Sequence, residues 1–208
     1  MSYAIAYVYD AWIEGNWTTP PPTVSSWSGS ATIGSTITVT GANFTGATAV
    51  KIGSNSVSSY TVVSASSITF TLTTAHQGWS GVLSVTTASG TGSGGSTLTV
   101  PTISVGAPTP GGQYTSVGYT RQFTSGGVSG AVNTSVTWST NGGSITGSGL
   151  YTAPGTSGTY TIWNTSVADS SKSNSCTVYI VALPTASLSA TRGTITAGQS
   201  TTITPIFT

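Results

Sequence analysis

Few side chains in this sequence could carry out chemistry, and they stand far apart. The only histidine is His76, and the carboxylates are Asp10, Glu14 and Asp169. A metal centre or a Ser–His–Asp triad needs such groups close together, and no acid lies in the segment around His76. Asp10 and Glu14 have the spacing of one helical face, but their aromatic, strand-like surroundings argue against a glycosidase pair. We expect no catalytic residue, no metal site and no cofactor, with His76 exposed in a loop.

The single cysteine and a glycine-rich segment are also predicted to be structural. Cys176 alternates with Val178 and Ile180, which is the pattern of a small buried residue on a strand. Residues 90–95 are rich in glycine and serine, but no lysine follows them. We therefore predict a hairpin loop there and not a phosphate-binding loop. Together these features predict that the protein is not an enzyme.

The composition predicts a protein whose surface is solvated through hydroxyl groups rather than through charged groups. Charged residues make up 3% of the 208 residues, and the net charge is +1, whereas an ordinary soluble domain has about 25% charged residues. So little charge cannot drive binding to nucleic acid or to anionic lipid. The apolar residues come in runs far shorter than the ~20 residues of a transmembrane helix. We predict no nucleic acid partner and no membrane insertion.

Short alternating segments separated by glycine predict β-strands along most of the chain. Apolar and hydroxyl residues alternate clearly over residues 37–40 and 68–72. Closely spaced strands of this kind are typical of β-sandwiches. The predicted fold class is all-β, with tandem immunoglobulin-like β-sandwiches behind an extended N-terminal anchor segment. The predicted strands are residues 23–26, 35–40, 49–52, 56–63, 67–72, 81–86 and 97–100, then 119–123, 135–139, 149–152, 159–167 and 173–181.

The first predicted domain, residues 23–100, carries a recognisable motif. A strand over residues 35–40 is followed by Gly41-Ala42-Asn43-Phe44, small residues and Val50. This pattern resembles the IPT/TIG family of immunoglobulin-like domains, and the resemblance covers about 80 residues, the length of one sandwich. Phe44 is expected to close one end of the sandwich, while Gly41 and Asn43 take tight-turn dihedral angles.

The second predicted domain, residues 101–182, has different landmarks. Trp138 lies on a predicted core strand that ends at a tight turn containing Asn141 and Gly142. The stretches 147–154, which includes Tyr151, and 166–173 resemble segments of bacterial Ig-like (BIG-type) domains. Since Cys176 is the only cysteine, packing alone must hold this domain together.

Residues 183–208 resemble the opening of a third bacterial Ig-like domain. Residues 188–190 and 197–204 are predicted to be its first two strands. Two strands cannot form a stable sandwich. Two interpretations remain open: the sequence is truncated, or these strands complete a sheet with a partner.

The first 22 residues are predicted to be an assembly anchor and a linker. Aromatic and apolar residues cover both faces of the segment, which would leave a sticky surface without a partner, and residues 20–22 form a polyproline spacer. The alternative is a first strand packed on the neighbouring domain. No basic leader precedes the apolar residues, so standard export is not expected. The anchor residues are Tyr3, Ile5, Tyr7, Tyr9, Trp12 and Trp17.

Three functions fit these features. The first is a structural or accessory protein of a phage virion, such as a head decoration, fibre or tail accessory, that contacts other subunits through residues 1–22 and is a homo-oligomer within the assembly. The second is a bacterial extracellular adhesin or filament subunit that uses strand addition. The third is a carbohydrate-binding accessory module cut from a hydrolase. Trp79 and Trp163 are the candidate glycan contacts, and a host-surface glycan would be a partner of the virion protein. Trp27, at the start of the first domain, is expected to occupy an ordinary seam position.

Overall fold

The computed structural model describes residues 19–190 and 203–207, with side chains over residues 19–185. These residues form β-strands and one short 3-10 turn, and the described part holds no helix long and apolar enough to cross a membrane. The chain divides into two compact units. Unit 1 comprises the described residues up to Ala31 with Ser35–Leu72 and Gly78–Val100, and unit 2 comprises Thr32–Gly34, Thr73–Gln77 and the described residues from Pro101 onward.

Unit 1 is an immunoglobulin-like sandwich of two antiparallel four-stranded sheets. One sheet has the strand order β1-β2-β6-β5 and the other β4-β3-β7-β8, which corresponds to the two-sheet division of the immunoglobulin fold. The strands are β1 (Thr23–Ser28), β2 (Thr36–Ala42), β3 (Ala49–Ile52), β4 (Asn55–Ser56), β5 (Thr61–Ser64), β6 (Ser67–Thr71), β7 (Ser80–Thr87) and β8 (Gly90–Thr99).

The core of unit 1 follows from the alternation in its sequence. Ile37 and Val39 of β2 lie opposite Phe70 and Ile68 of β6, and all four are buried while the threonines between them are not. Phe44 is fully buried after β2, as predicted. Inward apolar residues on both sheets remove their side chains from water and so hold the sheets together.

The Gly41–Phe44 turn was predicted only in part. Asn43 has a φ of 60°, the left-handed conformation that asparagine tolerates. The turn expected at Gly41 was wrong, because Gly41 lies within strand β2 and its φ is not positive. Gly41 is required for space: a Cβ there would overlap the backbone oxygen of Thr23 and lie 2.5 Å from Cζ of Phe44.

Residues 90–95, predicted as a hairpin loop, are part of strand β8 and pair with β7. The reason lies on the neighbouring chain segment. A Cβ on Gly92 would overlap the backbone oxygen of Pro22, and one on Gly94 would overlap that of Val24. The glycines of β8 therefore form a smooth surface on which the start of β1 packs backbone to backbone.

We expect the Gly92→Ala substitution to destabilise unit 1 by about 1–3 kcal/mol, the usual cost of an added group in a closely packed place. The cost comes from moving the backbone at Pro22, because Gly92 has no positive φ. Denaturant unfolding of the full chain measures it. Gly155→Ala is the matched control, since its Cβ would meet no atom within 4 Å. Equal stability of the two variants would contradict this account of β8.

Unit 2 is also built of packed sheets. One sheet has the order β10-β17-β16-β13, with β10 parallel to β17, a second has β11-β15-β14, and β9 pairs with β12. Strands β18 and β19 pair antiparallel. The strands are β9 (Ser104–Val105), β10 (Gln113–Ser116), β11 (Thr120–Gln122), β12 (Val128–Ser129), β13 (Val136–Thr140), β14 (Ser144–Ile145), β15 (Leu150–Thr152), β16 (Gly158–Ser166), β17 (Ser173–Val181), β18 (Ala186–Ala190) and β19 (Ile203–Phe207).

The core of unit 2 centres on an aromatic pair. Phe123 and Tyr151 are fully buried and meet edge to face, with ring centroids 6.0 Å apart. The Tyr151 hydroxyl donates a hydrogen bond to the backbone oxygen of Gly142 at 2.9 Å. Burial, with the nearby Tyr160 phenol, raises the pKa of Tyr151. The residue therefore stays protonated and keeps this bond, which ties β15 to the turn after β13.

The predicted fold class of tandem immunoglobulin-like sandwiches is confirmed, with differences in particular strands. Residues 56–63, predicted as one strand, contain the end of β4 and most of β5, separated by residues 57–60. Val57 is buried in this break, so it belongs to the core without lying on a strand. Strands β9, β10, β12 and β14 were not predicted, because they are short and lack a clear alternation.

Candidate functional surface

His76 was predicted to be exposed, and that prediction is wrong: its side chain is 4% exposed. It ends the 3-10 turn Thr74–His76, and its Nδ1 lies 2.9 Å from both the backbone nitrogen and Oγ1 of Thr73. Because the Thr73 N–H donates to Nδ1, a neutral ring carries its proton on Nε2. The ring therefore acts as a cap for this turn, which gives it a structural role.

Asp169 is also used within the fold. Its Oδ1 accepts hydrogen bonds from the hydroxyl and backbone N–H of Ser171, at 2.7 and 3.0 Å. Its Oδ2 accepts one from Gln77 Nε2 at 2.7 Å, within unit 2. These bonds, that of the Ser171 hydroxyl first, lower the pKa of Asp169. The carboxylate therefore stays ionised as an organiser of the turn between β16 and β17.

The described residues contain no group of three or more metal-ligating side chains. Cys176 is a free, half-buried thiol that packs against the unit 2 core, and burial raises its pKa. A thiol held in its neutral form is a poor nucleophile and a poor metal ligand. Its place on β17, opposite Ile162 of β16, agrees with the structural role predicted for it.

A row of aromatic side chains lies on the outer side of one unit 2 sheet. Val178 and Ile180 of β17 and Ile162 of β16 are buried, so residues that alternate with them point away from the core. Those residues include Tyr179 of β17 and Trp163 of β16, and Tyr114 of β10 lies beside Tyr179. We call the outer side of this sheet, with Tyr114, Tyr179 and Trp163, the aromatic face.

Two tyrosines form one end of the aromatic face. The rings of Tyr114 and Tyr179 stack with centroids 4.9 Å apart and an interplanar angle of 25°. Because β10 is the edge strand, Tyr114 is 67% exposed. The Arg121 guanidinium holds the strand in place by donating to the backbone oxygen of Tyr114 and to Oε1 of Gln113, both at 3.1 Å.

Trp163 forms the other end of the aromatic face. Trp163 is half-buried, and its neighbours on the adjacent strands are Ser139 of β13 and Ser175 of β17, small side chains that leave part of the indole ring exposed. Tyr179 lies opposite Thr159, four residues before Trp163 on β16, so the two aromatic positions are about 13 Å apart along the sheet. Thr161 and Thr177 lie between them.

The aromatic face carries no charge. None of the four strands that form its sheet contains a charged residue. It therefore presents aromatic rings and hydroxyl groups. Such a surface can stack on a ligand and exchange hydrogen bonds with it, but cannot attract or repel it by charge.

The tryptophans considered as candidate contacts lie in different surroundings. Trp163 lies on the outer face of a sheet, as its alternation indicated, and Trp79 lies just before β7; both are half-buried. Trp27 is half-buried in β1, and its Nε1 donates to the backbone oxygen of Ser96 at 2.9 Å. This is the structural position that was expected for it at the start of the domain. Tyr114 and Tyr179 were not predicted, because their pairing joins strands far apart in sequence.

The predicted anchor lies outside the described residues: Tyr3, Ile5, Tyr7, Tyr9, Trp12 and Trp17 remain sequence-based candidates. The end of the predicted spacer is described. Pro22 is buried, and the backbone oxygen of Pro21 accepts a hydrogen bond from Asn43 Nδ2 at 3.2 Å. The last two prolines are thus part of unit 1 rather than a free spacer.

Comparison with known proteins identifies the family of the first domain. Residues 22–100 match the model of the IPT/TIG domain family, so this segment is an IPT/TIG immunoglobulin-like domain, as its motif indicated. No curated protein matches the chain. The likeness of residues 101–182 to bacterial Ig-like domains stays a prediction.

Several solved structures show distant similarity to this chain. The three N-terminal domains of the highly immunogenic outer capsid protein Hoc of bacteriophage RB49 are 16% identical, with a TM-score of 0.48, over 90% of this chain and 70% of that one. SGBP-B from a xyloglucan utilization locus of Bacteroides uniformis is 16% identical, with a TM-score of 0.32, over 77% and 48%. SGBP-B from Bacteroides ovatus is 15% identical, with a TM-score of 0.28, over 85% and 47%. Similarity at this level has no bearing on function.

Proposed function

We propose that this chain is a non-enzymatic structural accessory protein of a phage virion, anchored through its N-terminal segment and presenting its immunoglobulin-like domains outward. The observation that carries the proposal is the way the outer surfaces are held together. Neighbouring strands are joined by pairs of hydroxyl groups 2.8–2.9 Å apart: Ser80 with Thr99, Thr86 with Thr91, Ser104 with Ser129, and Thr109 with Thr124.

These hydroxyl pairs suit a protein that is displayed rather than one that performs turnover. Ion pairs on a surface weaken as salt rises, and carboxylate contacts are lost in acid. Hydrogen bonds between neutral hydroxyls depend on neither. A surface of this kind keeps its structure over a wide range of salt and pH, as a particle exposed to changing surroundings requires.

The sheet edges support projecting domains over strand-exchanging ones. In unit 1, the edge strand β5 is exposed at every residue, including Val62 and Val63, but its pairing shifts register between Val62 and Ser64. In unit 2, the Arg121 guanidinium occupies the backbone oxygen of Tyr114 on edge strand β10. Bulges and charges of this kind protect edges from pairing with other chains. They count against the adhesin or filament subunit that works by strand addition.

We expect the chain to purify with intact virions, at a constant ratio to the major capsid protein across density-gradient fractions. Mass spectrometry of those fractions measures the ratio. Full-length Tyr7→Ser/Trp12→Ser protein should fail to bind particles that lack the chain, because the anchor loses its apolar contacts. Tyr119→Ser changes an exposed tyrosine outside the anchor and should bind as wild type does. Recovery of the chain from cell envelopes or culture medium without particles would overturn the proposal.

A further inference from the structure

We propose that the aromatic face of unit 2 is a binding site for an uncharged oligosaccharide. The inference rests on the proposed function, since a domain displayed on a particle is placed to bind a ligand, and it names the class of that ligand. Sugar rings present flat faces of C–H bonds that stack on aromatic rings, and they carry hydroxyls that exchange hydrogen bonds with threonine and serine. Tyr114, Tyr179 and Trp163 supply the first kind of contact, and Thr161 and Thr177 the second.

The spacing of the aromatic residues sets the size of the ligand. The stacked tyrosines and Trp163 lie about 13 Å apart along the sheet, because four residues of extended strand separate them. This is the length of a short oligosaccharide and exceeds that of a single sugar ring. The rings of Tyr114 and Tyr179 already stack on each other, so the outer face of the exposed Tyr114 ring is available to a ligand at that end.

The absence of charge on the described strands of this sheet selects among ligands that stack on aromatic rings. Single-stranded nucleic acid also stacks on tyrosine and tryptophan, but its phosphates need a positively charged groove. Strands β10, β13, β16 and β17 supply no lysine or arginine, and Arg121 already donates to Tyr114 and Gln113. An acidic glycan would lack a partner for the same reason. A neutral glycan has no such requirement.

A second copy of this chain is a weaker occupant than a glycan. A stable protein interface buries about 800 Å² on each partner around an apolar centre. On the aromatic face, the tyrosine pair and Trp163 are separated by threonines, so the apolar area is interrupted at its centre. This arrangement fits a narrow chain of alternating apolar and hydroxyl-bearing surfaces better than another flat protein face.

Isothermal titration calorimetry of the full chain tests the proposal. The probes are cellohexaose, mannohexaose, maltohexaose and chitohexaose, with glucose as the single ring and oligo(dT) as the polyanion. We expect at least one hexasaccharide to bind with a millimolar or lower Kd, glucose to bind more weakly, and the Kd to be the same in dilute and concentrated NaCl. Tyr114→Ala and Trp163→Ala should each weaken binding about tenfold, which corresponds to 1.4 kcal/mol.

Tyr119→Ala is the matched control, because Tyr119 is 59% exposed but is not part of the aromatic-face sheet. It should bind like wild type. The highly exposed Tyr114 side chain can be removed without unfolding, which separates lost binding from lost structure. Three results would overturn the proposal: no hexasaccharide binding at millimolar concentration, binding unchanged by Tyr114→Ala and Trp163→Ala, or salt-sensitive binding of oligo(dT) alone. Virion association of Tyr114→Ala protein is expected to be normal, so each proposal can fail without the other.

Discussion

Asn164→Asp is expected to make the stability of unit 2 strongly dependent on pH. Asn164 is fully buried, and its Nδ2 donates to the backbone oxygen of Gly106 at 2.9 Å and contacts Ser125 Oγ at 2.7 Å. Its Oδ1 accepts no hydrogen bond from the described part of the chain. An aspartate there would be buried beside a carbonyl oxygen, with no cation to balance its charge.

The direction of this pH dependence follows from burial. Burial disfavours the charged carboxylate, so the folded-state pKa of the new aspartate would lie above its unfolded value of about 3.9. Stability would be fully present below that unfolded value, where the protonated carboxyl can donate to Gly106. It would be lost as pH rises through the folded-state pKa. A shift of 3–5 pKa units corresponds to a total loss of about 4–7 kcal/mol, which is complete only when pH exceeds the folded-state pKa. By pH 7 the loss amounts to about 4 kcal/mol.

Chemical unfolding of wild type and variant between pH 4 and 8 measures this effect as the difference in their free energies of unfolding. Asn174→Asp is the matched control. Asn174 lies opposite Asn164 on β17 and also donates to a backbone oxygen, that of Val105 at 2.9 Å, but its side chain is exposed. It should cost about 1 kcal/mol, with little change over this range. Equal pH profiles for the two variants would contradict the buried network at Asn164.

Phe44→Ala is expected to destabilise unit 1 by about 3–5 kcal/mol, the usual cost of truncating a buried phenylalanine. Phe44 is fully buried, and its backbone is fixed by hydrogen bonds to Ala65 and from Ala47. The absence of a side chain on Gly41 leaves room for the Phe44 ring, and a Cβ on Gly41 would overlap that ring. The cavity would therefore open at the point where β1, β2 and the end of the sandwich meet.

Thermal unfolding of the full chain measures this loss as a fall of more than about 10 °C in the Tm of the unit 1 transition. Phe44→Leu keeps most of the apolar volume and should lie between wild type and Phe44→Ala. Val63→Ala truncates a residue that is 60% exposed and should shift stability by no more than about 0.5 kcal/mol. If Phe44→Ala were as mild as Val63→Ala, the assignment of Phe44 to the core would be wrong.

Local pattern was enough to predict most of the long strands and several core residues. Strand β17 was predicted with its observed bounds, Ser173–Val181, because its apolar residues alternate without interruption. The burial of Phe44 followed from a motif in which Asn43 takes the turn conformation and Gly41 leaves room for the ring. These features depend on residues close together in the sequence.

Features that depend on distant segments could not be predicted. The sequence around Gly92 and Gly94 predicts a loop. Only the folded positions of Pro22 and Val24, whose backbone oxygens pack against these glycines, show why a strand needs glycine there. Strand β10 has no apolar alternation, and its parallel partner β17 lies some sixty residues later. The aromatic face was missed for this reason, since it exists only when Tyr114 and Tyr179 are paired across those strands.

The dependence of thermal stability on salt tests the central claim most directly, namely that uncharged hydroxyl and apolar contacts hold these domains together and form their working surfaces. Differential scanning calorimetry of the full chain in 10 mM and 300 mM NaCl, concentrations that bracket a Debye length of about 10 Å, makes the comparison. We predict that the Tm values at the two concentrations agree within about 2 °C, less than 1 kcal/mol of stability. A fall of about 8 °C or more at the higher salt concentration would show that charge interactions hold the domains, and would contradict the account.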